Sequence, residues 1–469
     1  MMEHGKPHFF VGIGGSGMMP LAMILAGQGA TVAGSDRSLD SGRLPAKFDA
    51  LRSLGIDLFA QDGSGITSPD QVVIASAAVE DSVPDMVQAA SLGCPRMTRA
   101  ELNAKLFNAA PLSIGVAGTS GKSTVTGMIA WILHSLDRDP TVMNGAVMKN
   151  FVRPEAPFAS ALIGSGDLYV SEVDESDGSI ALYTPQVAVL NNVSLDHKSL
   201  EELRTLFGDF AGKARTTIVN VGDAESATLA KALDPSRTQT FAVEGVADLS
   251  ARNLTPEPFA ISFDLTTDGT TRRIRLSVPG AHNVANALAA IGACIAAGLD
   301  PDSICDAIQG FTGLRRRFEL VGEATGVAVI DDFGHNPDKI GATLDTLHAF
   351  PGRILALFQP HGYGPLKVMR SELVAMFAEK LAPGDQLVLP DPVYHGGTVA
   401  REVTSADIVA DIAATGRDAR HIPDRAAAAA HLAAIAQPGD RIVIMGARDD
   451  TLSLLAQSVR DDLERNAVK

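Results

Sequence analysis

The chain has 469 residues, 46% hydrophobic and 20% charged, the balance of a protein of roughly three domains that buries large cores. Aromatic residues make up only 5% and the formal net charge is −16, so neither a base-stacking surface nor a general phosphate-backbone binder is expected. Cys94, Cys294 and Cys305 are too few and too scattered for a disulfide framework or a zinc cluster, and read as small buried residues of a reducing compartment. Met1 to Lys6 carry no leader pattern before the strand at His8, and the Ala-rich run 426–436 is too short to span a bilayer. A cytoplasmic protein without nucleic-acid or membrane partners is the expectation.

Along the chain, a short β-branched run, a Gly-rich turn and a helical pattern recur, the signature of parallel α/β architecture. The first unit opens with Phe9-Phe10-Val11-Gly12, followed by a helical stretch over Met18–Gln28 and a strand over Ala30–Ala33. Between strand and helix, Gly12-Ile13-Gly14-Gly15-Ser16-Gly17 fits G-x-G-x-x-G. Such glycines allow a tight turn and let backbone N–H groups approach a diphosphate at the helix N-terminus. Asp36 lies about 20 residues further on, after a second strand, where a ribose-binding carboxylate is often found. A nicotinamide dinucleotide and another nucleoside diphosphate fit this motif equally well.

A second restart, Leu112-Ser113-Ile114-Gly115-Val116, leads to Gly118-Thr119-Ser120-Gly121-Lys122-Ser123-Thr124 and a helix. Val116 stands where the first glycine of the strict phosphate-loop pattern would be, but the shorter loop keeps the same physics. A nest of N–H groups surrounds phosphate oxygens, Lys122 adds a point charge, and Ser123 or Thr124 can reach Mg²⁺. ATP is the candidate ligand. Two later strands end in metal-ligating residue types: Leu168–Ser171 runs into Glu172-Val173-Asp174-Glu175-Ser176-Asp177, and Val187–Leu190 into Asn191-Asn192-Val193-Ser194-Leu195-Asp196-His197. Further on, Ile261–Leu265 and Arg273–Val278 read as an antiparallel pair around Thr267-Asp268-Gly269, with a long helix over Asn283–Ala297. The third restart is Val327–Ile330, after Arg315-Arg316-Arg317. These breaks predict domains over 1–110, 111–313 and 314–469.

In this order the motifs Gly12–Gly17, Gly118–Ser123, Glu172–Asp177, Asn191–His197, His282-Asn283-x-x-Asn286 and Arg316-Arg317-Phe318 resemble the Mur ligases, ATP-dependent amide synthetases of peptidoglycan assembly. Gly34-Ser35-Asp36, Asp331-Asp332-Phe333-Gly334-His335 and Phe358-Gln359-Pro360-His361 are most similar to the branch that joins L-alanine to UDP-N-acetylmuramate. The resemblance implies an α/β protein with an N-terminal Rossmann-like UDP-sugar domain, a central P-loop ATPase-like domain and a C-terminal Rossmann-like domain. It assigns Gly12, Gly14, Gly15, Ser16, Gly17 and Asp36 to the nucleotide sugar and His361 to substrate. Gly118 to Thr124, Asn283, Asn286, Arg317 and Asp332 fall to ATP, with Asn283 at the adenine. Ser123, Glu172 and His197 become Mg²⁺ ligands, and Lys122, His197 and His335 the catalytic set, the histidines orienting or deprotonating the amine. No carbamoylated lysine is implied, since Phe207 stands near that position. The implied partners are UDP-N-acetylmuramate and an amino acid or peptide, bound by a monomer or homodimer.

Several residues depart from the family pattern. Ser120 replaces a usual His or Asn, Phe333 a usual tyrosine, and Tyr394-His395-Gly396-Gly397 another typical stretch. Gly362-Tyr363-Gly364-Pro365-Leu366-Lys367 replaces an arginine-bearing segment that grips the amino acid's carboxylate, and a lysine is no equivalent of a planar guanidinium fork. A recycling muropeptide ligase, which joins a preformed peptide to the same nucleotide sugar, therefore stays open. So does a nucleotide-sensing protein without activity. A nicotinamide oxidoreductase would leave Lys122, Glu172 and His197 without a role.

Overall fold

A computed structural model describes residues 5–165, 167–194, 198–393, 401–447 and 449–467. The first sheet uses β1 (His8–Val11), β2 (Val32–Ser35), β3 (Asp57–Phe59), β4 (Val72–Ala75) and β5 (Arg96–Thr98), all parallel, in the order β3-β2-β1-β4-β5. Its helices are α1 (Met18–Gly27), α2 (Arg37–Asp40), α3 (Pro45–Ser53), α4 (Pro84–Leu92) and α5 (Arg99–Ala109). The strand order reverses between β1 and β4, and ligands of such sheets bind outside the carboxyl ends of the strands at that point. The loop after β1 is Gly12–Gly17. The second predicted strand begins two residues later than the sequence pattern gave, because Ala30 closes the C-terminal turn of α1 by donating to Leu25.

The second sheet has ten strands in the order β15-β14-β13-β12-β11-β10-β6-β9-β7-β8. They are β6 (Leu112–Ala117), β7 (Thr141–Met143), β8 (Ala161–Leu162), β9 (Leu168–Glu172), β10 (Val187–Leu190), β11 (Thr216–Asn220), β12 (Thr238–Val243), β13 (Leu249–Glu257), β14 (Ala260–Thr267) and β15 (Thr270–Leu276). The helices are α6 (Lys122–Ser135), α7 (Leu200–Gly212), α8 (Ala224–Ala230), α9 (Ala281–Ala296) and α10 (Pro301–Ile308). Asp268 and Gly269 both have positive φ, at 48° and 74°, the two-residue turn that suits the twist of a hairpin between β14 and β15. β6 lies between β10 and β9, so the loop entering α6 is flanked by both acid- and Asn-bearing strand ends.

The third sheet, in the order β16-β17-β21-β18-β19-β20, has one antiparallel edge strand, β16 (Glu319–Ala324). Its other strands are β17 (Val327–Asp332), β18 (Ile354–Phe358), β19 (Gln386–Leu389), β20 (Asp418–His421) and β21 (Arg441–Met445). Helices α11 (Pro337–His348), α12 (Tyr363–Val368), α13 (Arg370–Lys380), α14 (Ser405–Ala414), α15 (Arg425–Ile435) and α16 (Thr451–Ala467) complete it.

Two compact units result. The first holds the chain up to Leu254 together with Ser262–Ser277 and Asn283–Leu314; the second holds Thr255–Ile261, Val278–His282 and the chain from Arg315. Inside the first unit, the first two sheets share one apolar core, in which Leu21, Leu102 and Phe107 meet Met143, Tyr169 and Phe210. Phe207 is fully buried in that core. Where the two sheets' layers meet, Asn103 of α5 donates to Ser171 Oγ and to Tyr183 Oη at 2.9 Å each, and accepts from Tyr169 Oη at 2.9 Å. Buried polar groups cost free energy unless paired, and here all four satisfy one another. Among the described residues no helix is long and apolar enough to cross a membrane.

Candidate functional site

The first glycine loop is shaped by its own acid. Asp36 Oδ2 accepts the Gly14 N–H at 2.8 Å, while Oδ1 accepts Ser38 N–H at 2.7 Å and so caps α2. A Cβ on Gly14 would lie 2.9 Å from that carboxylate, so glycine is needed for the approach. Lys47 Nζ donates to the Gly14 carbonyl at 2.8 Å. Asp36 thus stands after the second strand, and its oxygens are engaged by the Gly14 and Ser38 amides.

The second loop enters α6 through Gly121, whose φ of 85° lies in the region that favours glycine. The first amides of α6 have no acceptor within the helix, a ready anion site. Lys122 Nζ donates to the Gly118 carbonyl and to Glu175 Oε2, both at 2.7 Å. Glu175 is 4% exposed, so this is a largely buried ion pair. Burial pulls the Lys122 ammonium down, but Glu175, Asp174 and Glu172 together outweigh it and hold its pKa above the ordinary lysine range. Ser123 Oγ donates to Glu172 Oε2 at 2.6 Å, which joins two of the predicted metal ligands. Asp174 is pushed up by burial but pulled further down by Lys122, by hydrogen bonds from Ser176 and by Arg99, so it stays ionised.

Asparagines support this loop from the other side. Ser120 N–H donates to Asn192 Oδ1 at 2.8 Å, and the Ser120 carbonyl accepts from Asn191 and Asn192 at 3.1 Å each. Asn286 Oδ1 accepts from Asn191 at 2.9 Å, and a Cβ on Gly121 would come within 2.4 Å of it. Asn286 is therefore built into the wall of the loop, and its Nδ2 donates to Asn283 Oδ1 at 3.1 Å. Thr119 Oγ1 accepts from Ser194 N–H at 2.9 Å. His197, assigned to metal and to catalysis, lies outside the described residues, as does Tyr394-His395-Gly396-Gly397.

Arg99 is a residue that sequence reasoning missed. Its guanidinium occupies the space a Cβ on Gly17 would need, at 2.5 Å, and lies 3.9 Å from Asp174. One cation thus stands beside both the first glycine loop and the acidic end of β9. It also lines a cleft of about 270 Å³ with Thr98, Glu101, Asp177, Ser179 and Leu182. The signal was present: Thr98-Arg99-Ala100-Glu101 is a capping-box sequence, and both reciprocal bonds form, which fixes Arg99 in the first turn of α5.

The second unit carries the remaining predicted residues. Asp332 accepts from Phe318 N–H at 2.8 Å, Gly334 N–H at 2.7 Å and Thr343 Oγ1 at 3.1 Å, so both oxygens are engaged inside its own domain. Arg317 lies over the Phe333 ring at 4.2 Å, a cation–π contact. His335 Nδ1 is 3.0 Å from the Phe333 carbonyl; a carbonyl only accepts, so Nδ1 carries the proton and Nε2 the lone pair. Burial, then Lys339, depress this imidazole to about 3. It is neutral at pH 7 and a weak base, which favours orienting an amine over deprotonating it. The His335 and His361 rings meet edge to face at 5.4 Å. In the altered segment, Lys367 pairs with Glu402 at the surface, and Arg401 lies 5.5 Å from the Tyr363 ring.

Three family models match successive parts of the chain: the Mur ligase family catalytic domain over 8–110, the Mur ligase middle domain over 116–294 and the Mur ligase glutamate ligase domain over 316–448. The UDP-N-acetylmuramate–L-alanine ligase of Streptomyces coelicolor is 37% identical over 462 residues, 95% of each chain. That of Mycolicibacterium vanbaalenii is 35% identical over 480 residues, 97% of this chain and 96% of the relative. Among solved structures, the UDP-N-acetylmuramate-alanine ligase of Thermotoga maritima superposes with a TM-score of 0.79 at 26% identity, covering 99% of both chains. A murein peptide ligase of Psychrobacter arcticus shares the fold, with a TM-score of 0.72 at 22% identity over 98% of this chain and 99% of its own. Matched from end to end by these models and relatives, the chain belongs to the Mur ligase family.

Proposed function

We propose that the protein is an ATP-dependent ligase that joins L-alanine to UDP-N-acetylmuramate through an acyl phosphate, releasing ADP and phosphate. Residues 1–110 would bind the nucleotide sugar, 111–313 ATP, and 314–469 the amine. The observation that carries this reading is one sheet edge that joins Lys122, the N-terminus of α6 and the hydrogen-bonded pair Ser123–Glu172. A carboxylate does not acylate an amine in water at neutral pH, because oxide is a poor leaving group. Phosphorylation replaces that leaving group with phosphate, and charge on the transferring group must then be neutralised. Lys122 and the amides of α6 supply fixed positive potential for this.

A hydroxyl beside a carboxylate is a hard-oxygen donor set that fits Mg²⁺. Ser123 and Glu172 would hold the ion, with His197 as a further ligand. Bound there, it adds positive charge next to the phosphates. In the second unit, His335, whose Nε2 carries the lone pair, would orient the incoming amine by accepting one of its N–H groups. With its pKa at about 3 it does not take the proton.

The expected outcome with purified protein, ATP and magnesium is phosphate release that depends on both UDP-N-acetylmuramate and L-alanine. Lys122→Ala should lower that rate by about 10²–10³ while binding of the nucleotide sugar persists, the loss typical for one preorganised charge at a phosphoryl site. Turnover retained in that variant would remove Lys122 from the mechanism. The muropeptide reading rests on Gly362–Lys367, which has no arginine and whose lysine is paired with Glu402. Phosphate release with L-alanyl-γ-D-glutamyl-meso-diaminopimelate, and none with L-alanine, would establish it instead.

A further inference from the structure

The first sheet has a second edge. The Gly12 loop leaves the carboxyl end of β1, whereas His8 opens β1, Val72 opens β4 and Arg96 opens β5 at the amino end. At that amino edge lies a cleft of about 260 Å³ whose lining includes Lys6, His8, Gln28, Arg96 and Lys105 and, among the described residues, contains no Asp or Glu. For a chain with a net charge of −16, this is a local reversal of sign. His8 Nδ1 is buried and has no hydrogen-bond partner among the described residues. A buried polar atom without a partner is costly and calls for a ligand or water. Burial first, and Lys105 second, hold the His8 imidazole below its usual range.

Two neighbours bear on whether an anion fits. The C-terminal end of α1 reaches the cleft at Gln28 and Gly29, and bare helix carbonyls would repel an anion. Three of them are taken up: Gln28, Gly29 and Ala30 donate to the carbonyls of Ile24, Leu25 and Ala26. Arg96 is paired with Asp81 at 2.5 Å, with the Asp81 side chain 82% and the Arg96 side chain 42% exposed. Such surface pairs contribute little and yield to a multiply charged anion that the guanidinium can bind in bidentate fashion.

We propose that this cleft is a second anion site, which takes a small ligand carrying one or two phosphoryl groups through Arg96, Lys105 and the ring of His8. It lies at the opposite end of the strands from the Gly12 loop, so it serves binding other than the reaction. Lys105 and Leu102 sit on α5, the helix that also carries Asn103 and Arg99, and occupancy would bear directly on that helix.

The probe is inorganic pyrophosphate, titrated without metal into the full chain with ¹³C-labelled histidine rings, and the His8 signal is assigned by its loss in His8→Gln. The expected result is a saturable shift of that signal, with half-saturation raised about tenfold in R96Q/K105Q, the change expected when about 1.4 kcal/mol of anion attraction is lost. Lys122→Ala should leave the His8 response unchanged, which separates this site from the phosphate loop. Arg96 and Lys105 are exposed, and the single variants R96Q and K105Q should each shift the midpoint in the same direction. A His8 signal that stays in place up to pyrophosphate concentrations that saturate the Lys122-dependent response would overturn the proposal. So would a shift identical in R96Q/K105Q.

Discussion

Glu175 gives Lys122 a counter-charge before any phosphate arrives. In the proposed reaction Lys122 would combine two tasks, a charge for phosphate and a partner for a buried carboxylate, and substitution would expose both. Lys122→Ala leaves Glu175 buried without its cation and should lower stability by about 1–3 kcal/mol. The second change Glu175→Gln in that background should recover most of the loss, a coupling read from urea unfolding of the four proteins of the cycle. Additive losses would place Glu175 outside the pair. His335 makes a separate prediction. Its folded pKa of about 3 lies below the ordinary 6.5, so between these values the unfolded chain binds the extra proton. The sign follows: the contribution of His335 is present above about pH 6.5 and is lost as pH falls toward about 3. His335→Gln should flatten that part of the stability–pH curve, measured by denaturant midpoints from neutral to acid pH, and an unchanged slope would contradict the burial of the ring. Of these residues, Lys122 and Glu172 were legible because loop and strand-end patterns carry them. The Glu175 pairing was not, since four acids in one turn look alike until the fold buries one of them.

Helix α5 shows why some elements read better than others. Its start is written in Thr98-Arg99-Ala100-Glu101, and its apolar residues Leu102, Leu106 and Phe107 repeat at helical spacing. What the pattern does not carry is that Asn103, polar in the buried face, finds Ser171 and Tyr169 on a strand of a different sheet and Tyr183 in the loop that follows it. Hydrogen-bond partners some 70 residues away follow from packing, not from local periodicity. Asn103→Ala would leave two tyrosine hydroxyls and a serine without their shared partner. It should cost about 1–3 kcal/mol, seen as a lower thermal midpoint of the first unit. Asn103→Asp should not rescue it, because it puts a carboxylate charge into a buried network of neutral groups. The strands β6, β9, β10 and β17 were legible because short, mainly apolar runs suit strands buried on both faces. The short β7 and β8 were not, because two or three residues carry no period.

At the scale of the molecule, three repeating α/β patterns in the sequence become three sheets but two compact units, because the first two sheets share a core. Gly27 of α1 packs so closely on Ile163 that a Cβ there would come within 2.7 Å of that side chain. Residues 1–110 expressed alone would expose Leu21, Leu102 and Phe107, and are expected to aggregate or bind hydrophobic dye. In the full chain, hydrogen exchange should give the core amides of β1 and β6 opening free energies within about 1 kcal/mol of each other. A distinctly easier opening of β1 would show two independent bodies instead. If that common core holds and the two loops bind as proposed, the turns at Gly12 and Gly118 are fixed to one frame and would measure a set length. A nucleotide sugar whose arm between diphosphate and carboxylate is a few atoms too long or too short would then be refused by distance alone. Selectivity of that kind acts as a ruler, and it survives changes at the amine pocket.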